Sequence, residues 1–209
     1  YLPPSSFVDI FEKNRFCSKL DFYMLKKAIQ QIRKWIDMGI NPVNISVNQS
    51  KIVFYHENYI SELKSLLEEY NVSGSYITLE VLESTVIEDI DIFNSILTEV
   101  KKLGFSVSLD DFGSGYSSLN VLSKLQIDEL KIDRIFLHTK SEVDNQRTKW
   151  ILESIIDIAK KSQILVVVEG VESKQDDLFI KNLGADVGQG YFYGRPLSIS
   201  AFNDLIETK

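Results

Sequence analysis

The chain has 209 residues, of which 44% are hydrophobic and 25% are charged, and this balance excludes a disordered or fibrous protein. Its longest purely apolar run, residues 164–168, is far shorter than the roughly 20 residues that cross a bilayer, and a single cysteine excludes an internal disulfide. A net charge of -7 argues against a surface that binds duplex nucleic acid. We therefore expect one cytoplasmic domain spanning residues 1–209.

Short stretches in which apolar and polar residues alternate predict six β-strands. The predicted strands are residues 43–48, 76–81, 105–110, 128–133, 164–169 and roughly 186–192. Longer stretches with apolar residues three or four positions apart lie between them and predict amphipathic helices. Strands that alternate with helices in this way are typical of right-handed crossovers, so the sequence predicts a parallel sheet.

Three apolar stripes mark the predicted helices. They consist of Leu25, Ala28, Ile29, Ile32 and Ile36; of Val86, Ile90, Phe93, Leu97 and Val100; and of Ile151, Ile155 and Ile158. Glycines follow helical stretches at positions 39, 104 and 184, where a left-handed residue commonly ends a helix.

The two faces of the predicted strands differ in character. Side chains alternate between faces, and in four strands the apolar residues separate cleanly from the small and polar ones. In a closed barrel the apolar set packs against the helices and the polar set lines the interior. Near the C-terminal ends of five strands, the polar set contains Asn48, Glu80, Asp110, Lys131 and Glu169. Enzymes of the (β/α)8 type carry their catalytic groups at this end, so we predict a TIM-type (β/α) barrel with six of about eight strands.

This group of strand-end residues predicts a metal site. A single carboxylate in such a place often only caps the next helix, but several converging carboxylates repel one another unless a cation compensates them. Carboxylate and amide oxygens favour Mg2+ or Mn2+, whereas His56 and His138 lie away from the strand ends and make zinc a poor match. Asp110 and Asp111 can reach one site only where the strand breaks, and residues 112–115 offer that break.

Lys131 has three interpretations at this stage. It is either a buried ion-pair partner for Glu80 or Asp110, or a group that orients a nucleophilic water, or a Schiff-base lysine as in an aldolase-like barrel.

Seven segments, in order along the chain, resemble motifs of the EAL domain family, the bacterial phosphodiesterases that linearise cyclic di-GMP. The segments are residues 44–50, 79–84, 110–118, 130–134, 169–172, 189–191 and 194–197. The third, DDFGSGYSS, is similar to the family's DDFGTGYSS loop. The resemblance implies an EAL-like barrel that uses two Mg2+ or Mn2+ ions to hydrolyse cyclic di-GMP to linear pGpG. It also implies a homodimer and fusion to other signalling domains.

The same resemblance implies roles for individual residues. Asn48, Glu80 and Asp110 would hold one metal ion, and Asp110 and Asp111 with Glu169 would serve a second ion or its waters. Lys131 would contact the attacking water. Support of the substrate or of neighbouring loops is implied for Glu83, Asp133, Glu172, Gln189, Arg195 and Pro196.

Two departures from the family pattern affect what we expect. Leu82 replaces the family's threonine. The Glu-x-Leu motif, which supplies a metal ligand ahead of the proline-containing segment at residues 2–7, has no counterpart, so we expect an N-terminally truncated domain with little activity alone. The alternative is an inactive EAL-like module that binds cyclic di-GMP or serves in regulation or dimerisation.

Overall fold

The structure is a computed structural model that describes residues 11, 14, 16–83, 90–114, 122–137 and 142–207. Within these residues it contains six strands that alternate with helices, and the recorded strand pairs are parallel. The chain divides into two compact units, one formed by Tyr1–Asp110 and Gly115–Asp128 and the other by Asp111–Ser114 and Glu129–Lys209. The division falls within the third strand, between two consecutive aspartates.

The first unit is built on three neighbouring parallel strands. Its elements are α1 (Cys17–Asp37), β1 (Ile45–Gln49), α2 (Lys51–Phe54), α3 (Tyr59–Tyr70), a 3-10 helix (Gly74–Tyr76), β2 (Ile77–Leu82), α4 (Ile90–Lys102) and the start of β3 (Ser106–Phe112). In register, Asn48 of β1 lies opposite Glu80 of β2, and Glu80 lies opposite Ser108 of β3.

The core of this unit follows the predicted apolar stripes. Leu25, Ile29 and Ile32 of α1 are fully buried, as are Phe93 and Leu97 of α4, with a relative exposure of 0%. The helices end where glycines were predicted to end them, since Gly39 and Gly104 have φ angles of +73° and +92°. The predicted stripe residue Val86 lies outside the described residues.

The second unit contains the other three strands. Its elements after the end of β3 are β4 (Glu129–Ile132), a 3-10 helix (Arg134–Phe136), α5 (Glu142–Lys161), β5 (Leu165–Glu169), α6 (Lys174–Leu183), β6 (Val187–Gln189) and α7 (Ile199–Glu207). β5 pairs with both β4 and β6, and the Asp133 amide donates to the Phe112 carbonyl at 3.2 Å. None of the helices in the described ranges is long and apolar enough to cross a membrane.

Two sequence predictions about this unit are wrong in detail. The sixth strand ends at Gln189 instead of reaching residue 192, because the chain turns there. The Tyr193 amide donates to the Gly190 carbonyl at 3.1 Å, and the Phe192 amide donates to the Val171 carbonyl at 3.0 Å. Ile151 was placed on the buried stripe of α5 but is 52% exposed, and Leu152 is buried in its place. The true stripe therefore lies one residue further along the helix.

In each unit, one aspartate forms two hydrogen bonds with the backbone of a strand residue. Asp128 accepts a hydrogen bond from the Val107 amide at 2.9 Å, and its own amide donates to the Val107 carbonyl at 2.9 Å. Asp186 does the same with Val166, at 2.9 Å and 3.1 Å. These paired bonds hold β3 near its start in the first unit and β5 near its start in the second.

Candidate active site

The first unit carries three of the predicted metal ligands, called the first group here: Asn48, Glu80 and Asp110. Strand register places Asn48 beside Glu80, and Asp110 lies two residues beyond the partner of Glu80 on β3. The three therefore share one face of three adjacent strands, because residues two apart on a strand point the same way. Glu80 and Asp110 are 7% and 9% exposed, whereas Asn48 is exposed at the end of its strand.

Buried hydrogen bonds that the sequence did not reveal hold the end of β1. The Tyr59 hydroxyl donates to Gln49 Oε1 at 3.0 Å, and Gln49 Nε2 donates to the carbonyl of Asn48 at 2.8 Å. The Ser50 amide donates to Asp21 Oδ2 at 2.9 Å. Together these bonds fix the backbone from the Asn48 carbonyl to Ser50. The sequence hints at these bonds only through three consecutive polar residues, Asn48-Gln49-Ser50, which interrupt the alternation of apolar and polar residues in this strand.

Asp21 makes this support sensitive to pH. Burial raises the pKa of the Asp21 carboxyl above its ordinary value of 3.8, and the hydrogen bonds with Ser50 offset this only in part. A raised pKa in the folded protein means that folding favours the protonated acid. The contribution of protonated Asp21 to the stability of the folded protein is therefore complete below pH 3.8. It is lost as the pH rises through the raised pKa of this carboxyl.

The Asp21→Asn variant is expected to gain stability relative to the unchanged protein as the pH rises from about 4 to about 7. The amide keeps an oxygen that accepts from Ser50, but it carries no charge to be desolvated. Thermal unfolding at several pH values measures the difference in Tm between the two proteins. A difference that stays constant or shrinks with rising pH contradicts this explanation.

The second unit brings together three further predicted residues, called the second group here: Asp111, Lys131 and Glu169. Lys131 Nζ lies 2.8 Å from Glu169 Oε1, and one carboxylate oxygen of Asp111 lies within 4.8 Å of one of Glu169. The Lys131 side chain is 6% exposed and that of Glu169 is 20% exposed. A largely buried ammonium paired with one carboxylate, which has a second carboxylate close to it, can hold and orient a water or an anionic oxygen.

The backbone conformation of Asp111 shows why its side chain need not follow the alternation of faces along β3. Its φ angle is +57°, in the left-handed region that few residues other than glycine occupy and that aspartate tolerates better than most. The break that the sequence placed at residues 112–115 therefore begins one residue earlier, at Asp111. Gly113 continues it with a φ of +96°, and the Phe136 ring fills the space where a side chain would stand.

The remaining predicted site residues are more scattered. Glu83 is buried at 6% exposure in the first unit. In the second unit Asp133 caps the 3-10 helix by accepting from the Ile135 amide at 2.7 Å. The Arg195 guanidinium lies 4.8 Å from the centre of the Tyr191 ring. Glu172, Gln189 and Pro196 are exposed.

Both groups fit a hard divalent cation by their chemistry. The first group offers two carboxylates and one amide oxygen, and the second offers two carboxylates. Oxygen donors of this kind suit Mg2+ and Mn2+, which carboxylates bind in many phosphate-processing enzymes. The consecutive residues Asp110 and Asp111 join the two groups along the chain.

Comparison with known proteins agrees with this pattern. The family model described as the EAL domain matches residues 1–196. The bifunctional diguanylate cyclase/cyclic di-GMP phosphodiesterase MucR of Pseudomonas aeruginosa is 33% identical over 94% of this chain and 28% of its own length. The cyclic di-GMP phosphodiesterase PdeR of Escherichia coli K12 is 31% identical over 96% of this chain and 30% of its own length. The chain thus spans less than a third of these curated relatives.

The fold agrees as well. The solved structure of the PaMucR phosphodiesterase in complex with c-di-GMP superposes with a TM-score of 0.87 and 32% identity, covering 96% of this chain and 81% of that chain. This likeness confirms the predicted EAL-like, TIM-type fold, of which the described residues contain six strands. The family model and both relatives confirm the resemblance stated from the sequence, and the chain belongs to the EAL domain family.

Proposed function

We propose that the protein containing this chain hydrolyses cyclic di-GMP to linear pGpG with the help of Mg2+ or Mn2+. The observation that carries the proposal is the placement of the first group on one face of three strands in register. Relatives named as cyclic di-GMP phosphodiesterases and a relative solved with c-di-GMP support the choice of substrate.

In this proposal the two groups supply the metal ligands. Asn48, Glu80 and Asp110 hold one ion, and Asp110 and Asp111 with Glu169 serve the second ion or its waters. Two divalent ions, when bound, activate a water and stabilise the leaving oxygen of a phosphodiester. They also make an acidic site attractive to an anionic dinucleotide, in a chain whose net charge is -7.

Lys131 has a separate task. The ion pair with Glu169 fixes its ammonium, which then donates a hydrogen bond to the attacking water and sets the direction of attack. Glu169 and Asp111 accept hydrogen bonds from the same water and balance the lysine charge. Of the three interpretations that the sequence left open, the observed pairing with a carboxylate favours orientation of water over a Schiff base, which needs a neutral amine.

The other six residues take supporting roles in the proposal. Arg195, stacked on Tyr191, offers an exposed cation and an aromatic face to a nucleotide. Asp133 holds the turn after β4, and Glu83 is assigned the support of a neighbouring loop. Glu172 supports the turn after Glu169, while Gln189 and Pro196 lie beside the substrate.

Metal removal tests the proposed function directly. The full-length protein is incubated with cyclic di-GMP and Mn2+, and the nucleotides are separated by chromatography. We expect pGpG to accumulate, to stop accumulating on addition of EDTA, and to accumulate again when excess Mn2+ is restored. Bound but uncleaved cyclic di-GMP in the presence of Mn2+ would instead support the alternative of an EAL-like binding or regulatory module.

A single domain over residues 1–209, a cytoplasmic location, a homodimer and fusion to other signalling domains belong to the same proposal. The relatives named as phosphodiesterases are more than three times as long as the matched segment, which supports the fusion. Light scattering of the full-length protein measures the mass of the assembly, and a monomeric mass contradicts the homodimer.

A further inference from the structure

The third strand of the first unit carries a buried hydroxyl whose hydrogen-bonding capacity is unused. Ser108 of β3 has a relative exposure of 0%, and its Oγ finds no hydrogen-bond partner in the part of the chain that the structure describes. Leaving a buried hydroxyl without a partner costs free energy that an alanine would not cost. The contacts among the described residues therefore give no reason for a serine at this position.

The position of Ser108 relates it to the first group. Strand register pairs Ser108 with Glu80, and Asp110 follows two residues later on the same face. Both carboxylates are buried, at 7% and 9% exposure. The Ser108 hydroxyl thus lies on the buried strand face that carries two of the proposed metal ligands.

Thr78 is a second buried hydroxyl residue on this face, and its hydroxyl forms a hydrogen bond within the fold. It lies two residues before Glu80 and is 5% exposed, and its Oγ1 donates to Asn44 Oδ1 at 2.9 Å. Thr78 and Ser108 are therefore a natural pair for comparison, since within the described residues one hydroxyl has a hydrogen-bond partner and the other has none.

We infer that Ser108 is a positioning residue of the metal site, an inference that rests on the proposed function. Its hydroxyl binds a buried water, and this water donates hydrogen bonds to the carboxylates of Glu80 and Asp110. Neighbouring strands lie about 4.8 Å apart and a serine side chain is short, so the gap to the longer glutamate carboxylate is one that a water spans. A water with three polar partners is the usual case inside proteins.

This arrangement orders the metal ligands before the ion arrives. Hydrogen bonds to ligating carboxylates fix their orientation, and their removal typically weakens metal affinity by about 10- to 100-fold. The water provides such bonds to two ligands at once, and the Ser108 hydroxyl holds the water in place.

The test compares Ser108→Ala with Thr78→Val in the full-length protein, with Mn2+ affinity measured by calorimetry in the absence of nucleotide. We expect Ser108→Ala to weaken Mn2+ binding at least about 10-fold. Thr78→Val is expected to lower Tm, because it removes a hydrogen bond of the fold, and to leave the affinity for Mn2+ unchanged.

The outcomes separate the inference from the function on which it rests. If the unchanged protein binds Mn2+ and Ser108→Ala binds it equally well, the inference is overturned. Equal weakening by both variants also overturns it, because the cause is then a general loosening of the strands. If the unchanged protein binds no Mn2+, the proposed function itself fails.

Discussion

Replacing Asp110 with asparagine is expected to lower the hydrolysis of cyclic di-GMP at least about 1,000-fold while the protein remains folded. The variant keeps the shape of a side chain that is 9% exposed, so packing changes little. It removes the charge of a proposed ligand to both ions. Metal ions supply several kcal/mol of charge stabilisation in the transition state, and each factor of ten in rate corresponds to about 1.4 kcal/mol.

The matched control is Asp128→Asn. Asp128 lies in the same unit as Asp110 but contacts β3 near its start, whereas Asp110 lies near its end. Asp128 accepts from the Val107 amide, a bond that asparagine can keep, and pairs with Lys101 at 2.8 Å. Losing this half-exposed ion pair is expected to lower the free energy of unfolding by about 1 kcal/mol or less and to leave turnover unchanged. Retained turnover in Asp110→Asn, measured as pGpG released, would contradict the metal assignment.

Asp111→Asn separates the roles of the two consecutive aspartates. Its side chain belongs to the second group and lies near Glu169, and we assign it to the second ion and the water. It should lower turnover much more than affinity for cyclic di-GMP. The reverse result, in calorimetry with EDTA to prevent turnover, would make Asp111 a substrate-binding residue.

The strands could be predicted from the sequence because their two faces differ so clearly. Five of the six strands in the described residues begin and end within two residues of the prediction, and the sixth ends early because the chain turns after Gln189. One bond of this turn, from the Phe192 amide to the Val171 carbonyl, joins distant segments and leaves no pattern in either of them. The buried face of α5 was misplaced because Leu152 and Ile151 are adjacent and equally apolar, so tertiary packing decides between them.

The residue types of the site could also be predicted, but their partners could not. One of the three interpretations of Lys131 pairs it with a carboxylate of β2 or β3, whereas the ion pair in the structure is with Glu169 of β5. Strand parity identifies which residues share a face, but it does not say which long side chains meet. The buried bonds of Tyr59 and Gln49 were missed for the same reason, since a tyrosine in an amphipathic helix gives no sign of where its hydroxyl points.

Lys131→Met is expected to abolish turnover and to lower the free energy of unfolding by about 2 kcal/mol. Removing one partner of a fully buried ion pair costs about 3–5 kcal/mol, and the 20% exposure of the Glu169 side chain lowers that cost. For a chain of this length the change corresponds to a fall in Tm of about 4–8 °C. Thermal unfolding and pGpG release, measured on the same preparation, give both quantities.

The two effects must be separated, because a partly unfolded variant would also be inactive. Turnover is therefore measured at about 15 °C, where circular dichroism shows whether the variant is folded. If Lys131 serves stability alone, activity should return at this temperature. If it orients the attacking water, the loss should persist in the folded protein.

Lys131→Arg sharpens the distinction, because it keeps the positive charge and changes the geometry. Arginine can pair with Glu169 and should restore most of the lost stability, but its broad planar head group cannot place a donor where the compact ammonium was. We therefore expect a variant with nearly normal Tm and severely reduced turnover. Recovery of both would mean that a buried charge beside Glu169 is sufficient, and that the position of the ammonium does not set the direction of attack.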